Sequence, residues 1–246
     1  MFRTTQLTEN WTVPMRRLGR MISLVATWLS FPAAAKAQVF DAASSFSTIN
    51  NPTGVWTYGS SLTLGGTLTP YTQYSTQVGG SFQIWGQPTF PGVYHNSSNI
   101  SPVAYLTGRL GPGDLAAHPG ADGEYSIVRF TAPVGGLYAL LGSFVGADIF
   151  GTTTDVHVLR NGVSLFDGFV NGFGPSSLVA QSQSLVLASG DRVDFAVGFG
   201  ANRMYFNDVT IVTARLTTVP EPGTWTLLGT GLLAVGGIAE RRKRHA

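Results

Sequence analysis

The chain contains no cysteine. That excludes disulfides, thiolate zinc sites and a cysteine nucleophile. Lysine occurs only at Lys36 and Lys243, and Glu124 is the lone glutamate between Gln38 and Val219. No G-x-S-x-G, H-E-x-x-H, phosphate-binding or EF-hand pattern is present, so no catalytic chemistry is nominated by spacing. No stretch between Gln38 and Val219 carries the 3.6-residue apolar period of an amphipathic helix. The formal net charge of +2 is concentrated at the ends. Between Gln38 and Val219 there are 6 arginines against 10 carboxylates, a net of −4. This mildly acidic middle argues against a nucleic-acid partner.

What the chain has is a signal at each end. Arg16, Arg17 and Arg20 precede an apolar run, Met21–Phe31, which Pro32 ends. Ala35-Lys36-Ala37 then provides an A-x-A cleavage site before Gln38, the order of an export leader over residues 1–37. Met15 is an alternative start to Met1, since the stretch before it is long for an n-region. At the other end, Val219-Pro220-Glu221-Pro222 leads into an apolar run from Trp225 to Ile238. As a helix that run is roughly 21 Å long. The wider stretch 223–239 reaches roughly 25 Å, the lower edge of a membrane span. The basic cluster Arg241, Arg242, Lys243 and Arg244, within 240–246, would stay on the cytoplasmic side. The two prolines around Glu221 disfavour helix and hold the backbone extended. An ordinary single-pass anchor behind a Pro-rich linker has the same outline.

The sequence of Val-Pro-Glu-Pro, a short Gly-rich apolar run and a terminal Arg-Arg-Lys-Arg resembles the PEP-CTERM sorting signal of Gram-negative bacteria, over 219–246. The resemblance implies an exosortase as processing partner, cleavage near Pro220–Pro222, and a membrane helix that holds the precursor before processing. It also implies delivery to the outer envelope, the cell surface or an exopolysaccharide matrix.

Between these ends the pattern is strand after strand. Tyr125–Thr131, Leu137–Val145, Asp155–Leu159, Val163–Phe166, Val193–Val197 and Tyr205–Ala214 read as strands, with Asn161-Gly162 as a hairpin turn. The first half is looser. Ser61–Leu68 alternates, Tyr71–Gly80 reads as polar loop, Ser81–Trp85 as a short strand, and Gln87–Pro102 as a long loop. The expected class is all-β, an antiparallel β-sandwich of jelly-roll type over residues 38–218, flanked by a leader helix and a C-terminal membrane helix. The pieces Arg129-Phe130-Thr131-Ala132-Pro133, Gly136-Leu137-Tyr138, Asn161-Gly162 and Gly190-Asp191-Arg192-Val193-Asp194-Phe195 resemble the galactose-binding-like jelly roll of many carbohydrate-binding modules. That resemblance implies a fold, not a ligand.

Few residues stand out for chemistry. Tyr71, Tyr74 and Tyr94 lie in polar stretches and could form an exposed platform for sugar rings, whereas Trp56 and Trp85 read as core. His118 and Asp122, with Glu124, sit in one Gly- and Pro-containing stretch that could bind a hydroxyl-rich ligand or metal. An ordinary surface loop of turn residues is the default reading for them. His157 alternates with valines and reads as facing solvent or satisfied by neighbours. Asp194 and Asp208 read as strand-edge residues. Asp41, Asn207 and Asp208 would meet if the terminal strands paired, and a structural Ca2+ is the ion they would hold. Solvent-facing, turn-capping acids are the other reading. No cofactor is required. The expected role is an exported envelope or matrix protein that binds polysaccharide or serves as a structural surface module, rather than an enzyme. The alternative is a secreted carbohydrate-active hydrolase, which needs a paired acid that nothing here supplies for Glu124.

Overall fold

The computed structural model describes residues 36–86 and 90–220. Most of the leader, the apolar run and basic cluster after Pro220, and the helices expected there lie outside the described residues. Among the described residues no helix is long and apolar enough to cross a membrane.

The chain forms β1 (Val39–Asp41), β2 (Trp56–Ser61), β3 (Thr69–Pro70), β4 (Tyr74–Gln77), β5 (Phe82–Gly86), β6 (Gly92–Asn96), β7 (Val103–Tyr105) and β8 (Gly108–Leu110). It continues through β9 (Leu115–His118), β10 (Tyr125–Thr131), β11 (Gly136–Gly146), β12 (Thr152–Arg160) and β13 (Val163–Gly172). The last strands are β14 (Val179–Leu187), β15 (Arg192–Val197) and β16 (Thr210–Val219). Two packed sheets result. Sheet A runs β14-β11-β16-β9-β6-β5-β4, with β1 also paired to β16. Sheet B runs β13-β12-β15-β10-β2-β3, and β7 pairs only with β8. The pairings are antiparallel, as expected of a sandwich.

Period-2 alternation sorts the side chains. In β11, Tyr138, Leu140 and Phe144 are buried while Leu137, Ala139 and Leu141 face outward. Across the gap β10 and β15 supply Val128, Phe130, Val193, Phe195 and Val197. Phe130 sits among Phe40, Trp56 and Tyr138 with ring centroids 5.3, 5.4 and 5.9 Å away. Trp56 and Trp85 are both in this core. Strand β1 therefore contributes a core ring, although it is only 3 residues long. On the outer side of sheet B, Arg129 and Asp194 stand directly opposite each other and form a two-pronged ion pair at 2.6 and 2.8 Å.

The loose first half of the sequence is more ordered than its composition indicates. The Tyr71–Gly80 stretch contains β4, and the Gln87–Pro102 stretch contains β6, a central strand of sheet A. Both are short and poor in large apolar residues, so the ladder hydrogen bonds rather than a hydrophobic pattern define them. The expected surface loop around His118 contains β9 instead, each residue of which is buried. Asp194 is not at a strand edge but buried in its ion pair.

Phe130→Ala is expected to lower the unfolding free energy by about 3–5 kcal/mol, the cost of an emptied aromatic site. Leu62→Ala, at a position 75% exposed, should change it by no more than about 0.5 kcal/mol. Urea midpoints of the two variants check this.

Candidate functional site

Sheet A has a second apolar cluster on its outer side. Phe82 and Ile84 of β5, Tyr94 of β6 and Ala116 of β9 point away from the main core and pack under Val103, Tyr105 and Leu110. The segment bearing β7 and β8 thus forms a roof over half of the sheet. Buried Asn96 ties the roof down. Its side-chain amide donates to the carbonyls of Ser101 and Gly111 at 2.9 and 2.8 Å and accepts from the Ser98 N–H at 2.9 Å. The far end is pinned where the Arg109 N–H donates to the Ala147 carbonyl at 2.8 Å and the Thr107 hydroxyl donates to Asp148 Oδ2 at 2.5 Å.

Between sheet and roof lies a cavity of about 280 Å³. Phe82, Phe90, Tyr94, Tyr105 and Phe206 form its aromatic wall, and His118, Thr107, Asp148 and Asn207 supply polar atoms. Position in the strands explains the convergence. Tyr94 and His118 occupy neighbouring strands on the same outward side, with ring centroids 6.3 Å apart. Gly92 leaves room for Tyr94, since a Cβ there would lie 2.8 Å from its ring. Asn207 adopts a left-handed backbone at φ 66° that asparagine tolerates well.

The electrostatics favour a neutral ligand rich in donors. His118 uses Nδ1–H toward the Pro119 carbonyl at 2.8 Å and stacks on Phe90 at 3.6 Å. Burial pushes its pKa down to about 3, so the ring is uncharged at neutral pH. Its Nε2 is then a bare acceptor. Burial likewise holds the Tyr94 phenol protonated, and its hydroxyl has no partner among the described residues. The Asp148 carboxylate and the Asn207 amide add acceptors.

A more polar depression of about 310 Å³ lies on the other side of Phe90 and Pro91, bordered by Tyr71, Thr72, Gln73 and Glu124. Tyr71 and Tyr94 were expected at the surface, yet both are buried. Tyr71 is held by a 2.7 Å hydrogen bond to Ser126, while the roof covers Tyr94. Tyr74 is half-buried against Trp85 at 5.4 Å. Asp122 is exposed in a turn, where its backbone N–H donates to Glu124 at 3.1 Å. Of the expected platform only Tyr94 lines this cavity, together with His118 from the other expected stretch. Phe82, Phe90, Tyr105, Phe206 and Asp148 were not anticipated. The run Tyr205-Phe206-Asn207-Asp208, two aromatics beside two polar residues, was the one local signal pointing to them.

The expected calcium set does not assemble. In the register of β1 with β16, Asp41 stands opposite Arg215 and pairs with it at 3.5 Å. Asn207 and Asp208 precede the other end of β16, roughly 20 Å away at the strand rise per residue. Among the described residues no group of three or more histidines or acids is placed to hold a metal. His157 bonds Asp167 at 2.5 Å and Asp155 at 2.9 Å on the outer side of sheet B. Burial opposes its charge, but these two carboxylates outweigh that and raise its pKa.

With the geometry in place, comparison with known proteins adds the following. Residues 218–243 match the PEP-CTERM protein-sorting motif. No curated protein matches the chain. Among solved structures, a family 35 carbohydrate-binding module from Clostridium thermocellum is 11% identical, over 75% of this chain and 100% of its own, at a TM-score of 0.31. CBM51 from Clostridium perfringens GH95, solved with methyl-galactose, is 13% identical over 60% of this chain and 94% of its own, at 0.35. CBM35 from Cellvibrio japonicus Abf62 is 13% identical over 48% and 80%, at 0.28. Overlaps this loose carry no residue and no ligand across. The chain is an all-β sandwich bearing a PEP-CTERM sorting motif, and that motif marks it for export and processing at the membrane.

Beside the cavity, Asp208 is fully buried. One carboxylate oxygen accepts from the Thr153 N–H at 2.9 Å, and the other has no partner among the described residues. Burial first, then the charges of Asp148 and Asp155, raise its pKa to about 6. The folded chain therefore holds this proton more tightly than the unfolded chain, where the value is 3.8. The resulting stability is complete below about pH 3.8 and is lost as pH rises through about 6. Asp208→Asn should abolish that loss. Its unfolding free energy relative to the unaltered chain is expected to rise between pH 4 and 7, by up to about 3 kcal/mol. Urea unfolding across this range reads it, and parallel profiles would show that Asp208 does not titrate there.

Proposed function

We propose that this chain is an exported glycan-binding protein whose sandwich takes one sugar unit of a polysaccharide into the cavity between sheet A and its roof. The observation that carries the reading is the lining itself. Aromatic rings surround acceptors at His118 Nε2, Asp148 and Asn207. Ring faces pack against the apolar C–H faces of a sugar, and acceptors receive its hydroxyl protons. A volume of about 280 Å³ suits one ring rather than a chain segment. Its place of work is the outer envelope, cell surface or an exopolysaccharide matrix, reached through the sorting motif with an exosortase as processing partner.

Binding rather than hydrolysis fits the acids. Asp148 is the one carboxylate among the described lining residues, and both its oxygens accept hydrogen bonds, from Thr107 and from the Phe150 N–H. A glycosidase needs two carboxyls flanking the scissile bond.

The mature protein, recovered from the cell surface or medium, should retain particular glycans on an array. Phe206→Ala and Tyr105→Ala are each expected to weaken that binding about two- to tenfold, at about 0.5–1.5 kcal/mol per lost ring contact. Glu124→Gln, in the separate depression, should leave it within about twofold. Absence of any retained glycan would favour a purely structural surface role, and unchanged binding in both ring variants would place the glycan outside this cavity. The intact mass of the same material should lack residues 1–37 and the segment after the Pro-Glu-Pro site. A full-length mass would defeat the sorting part of the proposal.

A further inference from the structure

The roof covers only the β9-β6-β5 half of the outer side of sheet A. The other half, β14-β11-β16-β1, is bare. Its register sets the exposed side chains in rows. Val186, Leu137 and Val219 stand directly opposite one another across β14, β11 and β16. The next row is Ser184, Ala139, Thr217 and Val39, and the third is Ser182, Leu141, Arg215 and Asp41. Val186 is 67% exposed, Val39 51%, and Leu137, Leu141 and Val219 about 40%. The charges in these rows are Asp41 and Arg215, and they pair with each other. Water thus meets a neutral surface that grows more apolar toward one pole of the sandwich.

Both chain ends leave from that pole. The Gln38 N–H donates to the Thr218 hydroxyl at 2.7 Å, and the Thr218 N–H donates to the Gln38 carbonyl at 2.9 Å. The end of the leader is therefore fixed beside the start of the sorting motif. From Pro220 to the apolar run at Trp225 the chain can reach at most roughly 20 Å. From Gln38 back to Phe31, where the leader's apolar run ends, the limit is about 25 Å. Two apolar terminal segments are tethered, on short leashes, to the edge of one apolar row.

We propose that this bare half of sheet A, led by the row Val186–Leu137–Val219, docks on the lipid bilayer surface while the precursor awaits processing. The inference rests on reading 223–239 as membrane-seeking and adds to it an orientation of the folded body. Burying exposed valine and leucine side chains at the acyl boundary is favourable per unit of apolar area. The neutral rows bring no unpaired charge to be desolvated. The contact would also bring the Pro-Glu-Pro motif to the height of a membrane-embedded protease.

The cysteine-free chain permits a direct test. Val186→Cys and, on the opposite sheet, Leu62→Cys are each labelled with an environment-sensitive fluorophore in the full-length protein. Both positions are well exposed, at 67% and 75%, so folding should tolerate either. The probes are vesicles of phosphatidylethanolamine and phosphatidylglycerol containing a spin-labelled quencher lipid. In protein that co-floats with the vesicles, the Val186 label should be quenched several-fold more than the Leu62 label. Equal quenching in co-floating protein overturns the docking while leaving the membrane-seeking tail intact. Shielding of the Val186 label without vesicles would assign the surface to the chain's own tail or, if concentration-dependent, to a second copy, and equally overturns it. Failure to co-float at all would reject the reading of the tail, and the docking with it.

Discussion

The structure depends on the pairing of β11 with β16, ten residues long and unbroken from Leu137–Val219 to Gly146–Thr210. Strand β16 comes last in the described chain yet lies inside sheet A, with β11 on one side and both β1 and β9 on the other. Sheet A cannot close until the final strand has been made. A chain so arranged must fold around its own C-terminal segment, and the contacts it needs are distant in sequence. Loop-closure entropy makes such non-local topologies slow to form. With no disulfide to constrain the unfolded state, stability rests on the interior: Phe40, Trp56, Phe130 and Tyr138 meet where β1, β2, β10 and β11 cross.

The cavity follows from a second decision of the same sheet. Strands β5, β6 and β9 carry apolar or aromatic side chains on both sides: Trp85, Val93 and Leu115 inward, and Phe82, Tyr94 and Ala116 outward. Such strands cannot face water, and a roof is the remedy. Roof and sheet meet imperfectly around His118, where rings line a space rather than fill it. On the β14-β11-β16-β1 side the outward residues mix valine and leucine with serine, alanine, threonine and one ion pair, and no roof covers them.

This division explains what could be read from the chain. Most strands after Tyr125 were legible because apolar runs there end in turn chemistry, Asn161-Gly162 most clearly, although β16 begins at Thr210 rather than at Tyr205. The strand class and the sorting tail were legible for the same reason, since each announces itself locally. Strand β6 was not, because Gly92-Val93-Tyr94-His95-Asn96 is bounded by Pro91 and a Ser/Asn-rich stretch that imitates a loop. Nor could Tyr94 be seen as buried, since its cover comes from residues 97–110. Tyr71 was misplaced for a related reason, as its hydroxyl is satisfied by Ser126, 55 positions away. The calcium set failed on register. The terminal strands do pair, but their register sets Asp41 opposite Arg215 in the middle of β16, well short of Asp208 before its first residue.

That same register keeps the cavity and the sorting motif apart. Val209, just before one end of β16, lines the cavity, and the sorting-motif match begins at residue 218, at the other end. A ten-residue strand puts roughly 30 Å between them. Because β16 is held on both sides, that distance is rigid. Whatever engages the sorting-motif end therefore meets the body about one strand length from its cavity. The cavity draws none of its lining from the sorting motif. Hydrogen-bond ladders on both sides of this one strand thus hold the cavity and the motif at fixed, separate ends.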